Sequence, residues 1–249
     1  MKNLKIILLL FVLTGCAQLT QLAEQSLNTG RPLTQNEIVL GLKEALIVGT
    51  GSAANILGKT DGYYRDELVK IMLPPEADVI VNNISRIPGG KQIIEDVILG
   101  INRAAEDAVS EAKPIFVNSI KSMTISDAIG ILRGDDNAAT QYLQSTTYNQ
   151  LTGLYQPKIK TSLDKKLIGN VSAGQSWETL TSKWNDMAKS TIGQIAGFKP
   201  VTVQLDEYLT QKALDGLFLK IADEEKRIRK DPVARVNEIL KRVFGSLDS

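Results

Sequence analysis

The chain has 249 residues, with 29 Lys and Arg against 28 Asp and Glu, no histidine and a single cysteine. So even a balance gives no electrostatic reason to expect nucleic acid. Without histidine, and with Cys16 committed as described next, Ser-His-Asp and Cys-His nucleophilic sites, His- or Cys-based zinc sites and an internal disulfide are excluded. Carboxylates, Lys, Tyr, Ser and Thr remain for any chemistry.

Lys2 and Lys5 lead into an apolar run from Ile6 to Leu13. A run of that length rises about 12 Å as a helix, far short of the roughly 30 Å hydrocarbon core, so it reads as a processed signal and not a span. Leu13-Thr14-Gly15-Cys16 resembles the bacterial lipobox, and the chain's one cysteine falls where that motif needs it. The resemblance implies a diacylglyceryl group on Cys16, which then becomes the first mature residue and holds the body to a membrane through its lipid. Ala17 is not the Asp of an inner-membrane retention signal, so the implied location is the cell envelope, on the periplasmic face of the outer membrane. Residues 1–15 are thus a signal peptide, 16–33 a lipidated tether and 34–249 the folded domain.

Thr34 and Glu37 have the spacing of a capping box, followed by Ile38, Leu42, Ala45 and Leu46 at helical intervals. Residues 58–76 read as a loop, with Val69 to Leu73 a short extended piece that Pro74 ends. A brief helix is expected over Ala77 to Ile87. The long helix that follows carries Ile94, Val97, Ile98, Ile101, Ala104, Ala105 and Ala108 on one face, and Pro114 is expected to break or kink it.

Thr124 to Asp127 cap a short helix to Leu132. Asp135-Asp136-Asn137 caps the next, which runs toward Pro157. Residues 167–176 form a loop, Trp177 to Lys189 a helix, and Gly193 to Val203 an irregular stretch. Leu205, Leu209, Ala213, Leu217 and Ile221 make a wide apolar stripe, with Asp223–Arg227 and Glu225–Arg229 pairs on the solvated end. Asp231-Pro232 opens a final helix ending at Gly245. The reading is all-α, a single domain of about seven to nine helices with one short extended segment near residues 69–73.

The order "DGYY…KIMLP", "NRAAEDAVSEAKPIF", "DAIGILRGDDNAATQYL" and "KALDGLF…IADEEKRIRKDPVAR" resembles the bacterial envelope proteins of domain-of-unknown-function family 4197, from about Thr34 to Gly245. The resemblance implies a mostly helical fold and an envelope location. It carries no activity, substrate or catalytic residue.

Three motifs suggest chemistry and each has a plainer explanation. Gly49-Thr50-Gly51-Ser52-Ala53-Ala54 spells a dinucleotide-binding turn, but such a turn must follow a strand, and here a capped helix precedes it. Close helix packing at small residues is the expected role. Tyr208 and Lys212 match the Y-x-x-x-K of short-chain dehydrogenases without the alternating strands and helices those enzymes need. Asp135-Asp136-Asn137 lacks the Gly and Glu of a calcium loop. No cofactor and no metal are expected.

Asn102, Arg103 and Glu106 on the long helix, with Lys212 and Asp215 on the C-terminal helix, are the candidate ligand pocket. Buried inter-helix hydrogen bonds or ordinary surface ion pairs are the plainer explanation of these residues. The favoured reading is a lipid-anchored binding or scaffolding module with an envelope protein or a small ligand as partner. Its rivals are a carrier with an apolar cavity between helices 91–112 and 205–227, and a hydrolase using two carboxylates.

Overall fold

The computed structural model describes residues 31–86 and 89–248. The signal segment, Cys16 and most of the tether, together with Ile87 and Pro88, therefore lie outside the described residues. Among those described, nine α-helices and three short 3-10 turns make up the fold, and no strand is formed. One isolated bridge joins Ile168 and Val171.

Four long helices form the body: α1 (Gln35–Leu57), α3 (Gly90–Ser122), α5 (Ala138–Asp164) and α8 (Leu205–Lys230). They pack in a ring in the order α1, α3, α5, α8 and back to α1. Cross-contacts set alternating directions. Lys43 on α1 reaches the Lys121 carbonyl near the end of α3, Lys165 beyond α5 reaches Asp107 on α3, and Gln156 on α5 reaches Asp206 at the start of α8. The result is an up-and-down bundle with its apolar stripes turned inward. The short helices α2 (Asp78–Asn82), α4 (Ala128–Leu132), α6 (Ala173–Lys189), α7 (Thr191–Ile195) and α9 (Glu238–Gly245) cover its ends and flanks.

Helix α1 starts as its sequence demands. Thr34 accepts from the Glu37 N–H, and Glu37 accepts in return from the Thr34 N–H at 2.9 Å and the Thr34 hydroxyl at 2.8 Å. It then runs unbroken through Gly49-Thr50-Gly51-Ser52. A Cβ at Gly49 would fall 3.3 Å from Ile221 on α8, while Gly51 faces Lys113 on α3. The glycine-rich run is close helix packing, inside a helix and not before one.

Several expected boundaries move, for identifiable reasons. Pro114 does not break α3 and Pro157 does not end α5. Each proline frees one carbonyl, of Ser110 and Gly153, and both of those residues are exposed to water. Beyond each proline a buried set resumes, Phe116 and Ile120 on α3 and Ile159 and Leu163 on α5, so packing outweighs the local penalty. Helix α6 starts at Ala173, four residues early, because Ser172 and Gln175 make a second capping box. The stretch expected to be irregular from 193 opens inside a short helix, Thr191–Ile195, capped by Ser190. No strand forms over 69–73. Asp231 caps only the turn Pro232–Ala234, and α9 begins afresh at Glu238 under an Asn237 cap. The break lies at Arg235, whose guanidinium turns inward to the Ile228 and Arg229 carbonyls at the end of α8.

Two electrostatic expectations also change. Glu225 and Arg229 are not on a solvated end, since their side chains are 0% and 4% exposed. Arg227 pairs with Glu224 and not with Asp223. The α5 N-terminus takes no cap bond from the Asn137 side chain. Glu225 of α8 supplies it instead, accepting from the Ala139 N–H, the Thr140 N–H and the Thr140 hydroxyl at 3.0, 2.7 and 2.7 Å. A carboxylate at a helix N-terminus is favoured by the helix dipole and by the orphan N–H groups it satisfies.

Candidate functional site

The site is built on the loop between α1 and α2, and the long helix dictates its course. Glu106 on α3 is buried, and its Oε1 accepts from the Tyr63 and Tyr64 N–H groups at 3.1 and 3.2 Å. Arg103, one turn earlier, donates to Glu106 Oε2 and to Asp61 Oδ1, each at 2.6 Å. The Arg103 hydrogen bond holds the Asp61 carboxyl below its ordinary value. Asp61 has φ 68°, a left-handed conformation unusual outside glycine, and these contacts hold it there.

Asn102 fixes the far side of the loop. Its Oδ1 accepts from the Ile71 N–H at 2.9 Å and its Nδ2 donates to the Ile71 carbonyl at 2.7 Å. The amide thus acts on Ile71 as a neighbouring strand would. Tyr63 crosses the bundle and donates its hydroxyl to the Ala213 carbonyl on α8 at 2.8 Å. Burial pushes that hydroxyl's pKa well up. Lys220 pairs with Asp66 at 2.6 Å, and Tyr208 donates to the Met72 and Leu73 carbonyls.

The predicted pocket residues therefore divide into two groups. Asn102, Arg103 and Glu106 are held by the chain's own loop. Lys212 and Asp215 line an open groove of about 580 Å³ between segment 68–75 and α8. They form a loose pair at 3.9 Å, each about half exposed. Asp215 also accepts from Tyr148, whose pKa is raised to about 12 by burial and by that carboxylate. Ile71 belongs to both groups, gripped beneath by Asn102 and forming part of the groove wall above.

Sequence reasoning missed the groove's apolar walls. From the turn that Asp66 closes on Val69 and Lys70 into residues 71–73, Val69 and Ile71 are buried while Leu68 and Met72 are 76% and 53% exposed. Leu219 of α8 adds a further exposed apolar residue opposite. Among the described residues no hydrogen bond engages the Lys70 carbonyl or the Met72 N–H. In an extended chain these groups point away from the side on which Ile71 meets Asn102. The alternating run LVKIML was the available signal. A smaller hollow of about 240 Å³ lies between α3, the 165–172 loop and the first turn of α6, and none of the candidate residues reaches it.

The other motifs find structural roles. Tyr208 is half-buried with its pKa raised by burial, opposite to the lowering that a Y-x-x-x-K pair would have to provide. Asp136 pairs with Lys230. Helices α3 and α8, the expected walls of a carrier cavity, lie diagonally in the ring. Between them the Phe116 and Phe218 rings meet at 5.4 Å, and Tyr63 fills the end.

The fold and this clamped loop define an all-α, single-domain protein whose polar motif residues bind its own backbone. The chain belongs to the family described as "Protein of unknown function (DUF4197)", whose model matches residues 32–245. No curated protein and no solved structure matches it. The run DGYY to KIMLP, which carries the family resemblance, is the loop itself, and NRAAED is the helix that grips it.

Proposed function

We propose that the chain is a lipid-anchored binding module of the cell envelope, held through Cys16, whose groove receives an extended apolar segment of a protein partner. One observation carries the reading. Leu68 and Met72 stand exposed beside an open Lys70 carbonyl and Met72 N–H, on a segment whose other edge is already clamped by Asn102. An extended peptide added to such an edge gains main-chain bonds, and the apolar walls select its alternate side chains. The rigid clamp also lowers the ordering cost of binding.

The rival readings draw less support. A carrier in the bundle needs space where Phe116, Phe218 and Tyr63 stand. A two-carboxylate hydrolase would use Asp61 and Glu106, and both are tied to Arg103.

A photoreactive residue replacing Met72 in the full lipidated chain tests the proposal in intact envelopes. The expected product is an adduct to an apolar run of a partner polypeptide, lost when Leu68 is changed to Glu. Adducts to lipid or to a small molecule, or a yield equal to that of the same probe at Val233, would overturn it. Separately, Cys16→Ser is expected to release the protein from the membrane fraction, and unchanged fractionation would refute the anchor.

A further inference from the structure

Helix α7 and the turn after it form a projecting hook. Ile192 and Ile195 share one face of α7 at i,i+3 and are 75% and 83% exposed, although isoleucine ordinarily seeks burial. The hook is rigid without them. The Ser190 hydroxyl accepts from the Gly193 N–H, and a Cβ at Gly193 would fall 2.2 Å from the Met187 carbonyl oxygen. Gly197 has φ +74°, which favours glycine. Trp184 donates its indole N–H to the Lys199 carbonyl and meets the Phe198 ring at a 45° tilt with centroids 5.0 Å apart. Asn185 bonds both the N–H and the carbonyl of Val201. The packing that fixes the turn thus leaves both isoleucines facing water.

The charge around them is mainly positive. Across residues 183–204 the charged residues are Lys183, Lys189, Lys199 and a single acid, Asp186, while the Arg86 guanidinium lies over the Phe198 ring. An apolar tip flanked by exposed Lys189 and Lys199 is complementary to an anionic bilayer, where lysines meet phosphate and the isoleucines enter the acyl boundary. We propose that the Ile192/Ile195 hook is a lipid-contact element that inserts at the surface of an anionic membrane.

Arg31 lies with Glu37 at the far end of the bundle, near the end of α3, whereas Arg86 and the hook lie near its start. The 33 residues of α3 alone span about 50 Å. The hook is therefore a second membrane contact, separate from any lipid at Cys16 and independent of the groove.

The test uses the full chain with Cys16→Ser, so that an introduced thiol is the only one, and carries an environment-sensitive fluorophore at Ile195→Cys or, as control, at Val233→Cys, which is 87% exposed. Each is reconstituted in vesicles of phosphatidylethanolamine with phosphatidylglycerol, or of phosphatidylcholine alone. The label at 195 is expected to shift to the blue and to be quenched by brominated acyl chains on the anionic vesicles, while the label at 233 reports water. Lys189→Glu with Lys199→Glu is expected to reverse the shift, with thermal unfolding unchanged. Equal behaviour at 195 and 233 would overturn the proposal. So would a blue shift without lipid quenching, which signals protein contact, and so would equal quenching on phosphatidylcholine, which removes the anionic surface.

Discussion

Asn102 holds Ile71 with both polar atoms of its amide, 31 positions apart in the chain, and its Nδ2 also donates to the Ile98 carbonyl at 2.7 Å. Asn102 and Ile71 are both buried, so no water stands ready to replace the side chain between them. Asn102→Ala leaves a buried N–H and carbonyl unpaired and is expected to cost about 2–6 kcal/mol, at roughly 1–3 kcal/mol for each abandoned group. Asn102→Asp keeps the acceptor but turns a carboxylate oxygen toward two carbonyls, and should cost at least as much. Chemical denaturation of the two variants checks this, and an effect within about 0.5 kcal/mol, as at ordinary surface sites, would contradict it.

Glu225 and Arg229 tie three elements together. The guanidinium reaches the Leu132 and Ile131 carbonyls at the end of α4, while the carboxylate caps α5. Removing either partner strands the other charge in the interior, at about 3–5 kcal/mol. The double variant Glu225→Leu with Arg229→Met is expected to lose less than the sum of the two single changes. A double-mutant cycle by urea denaturation measures that coupling, and strict additivity would contradict it.

The Glu37 carboxyl is lowered from 4.5 to about 2, chiefly by the Thr34 N–H, with the Thr34 hydroxyl and Arg242 adding to the effect against burial. Arg242 Nε donates to it at 3.0 Å, so the pair links the start of α1 to α9. A lowered carboxylate contributes stability that is full above its unfolded pKa and is lost as pH falls through its folded pKa. Glu37's contribution is therefore present above pH 4.5 and disappears as the pH drops toward about 2. Thermal midpoints measured across that window should fall less steeply for Glu37→Gln, which starts about 1.5–3 kcal/mol less stable at neutral pH.

Two glycines on the long helices predict opposite signs. A Cβ at Gly153 on α5 meets nothing within 4 Å, so Gly153→Ala should stabilise by about 0.5–1 kcal/mol through helix propensity. A Cβ at Gly216 on α8 would fall 2.8 Å from Tyr63 Cε1. Tyr63 is pinned at its N–H by Glu106 and at its hydroxyl by the Ala213 carbonyl, so it cannot step aside. Gly216→Ala is expected to cost about 1–3 kcal/mol by overpacking. Parallel melting curves separate the two, and a shared sign would count against the loop's placement.

Helix identity was legible wherever a local cap and an apolar stripe agreed, as at Thr34–Glu37 with Ile38, Leu42 and Ala45. It failed where a local rule met a tertiary one. Pro114 and Pro157 read as boundaries because the buried side chains beyond them repay the lost bond only after folding. Ser172–Gln175 was hidden by Gly174, which reads as a breaker. Asn102, Arg103 and Glu106 announced a polar partner, yet side-chain spacing on one helix cannot distinguish a ligand from a backbone 31 to 43 positions away. Glu225 and Arg229 showed the same limit, since the i,i+4 spacing of a surface pair is also that of a buried one. The groove was half visible in the alternation of Leu68 to Leu73, but its opposite wall at Leu219 comes from a helix about 150 positions later in the sequence.

Amide hydrogen exchange on the full chain, resolved residue by residue across the loop, tests the central relationship most directly. The Tyr63, Tyr64 and Ile71 N–H groups, bound by Glu106 and Asn102, are expected to exchange as slowly as the buried turns of α3, while the Met72 N–H next in the chain exchanges at close to the rate of open backbone. If Ile71 and Met72 exchanged at the same rate, the loop would be neither clamped on one edge nor open on the other, and the groove would lose its basis as a binding site.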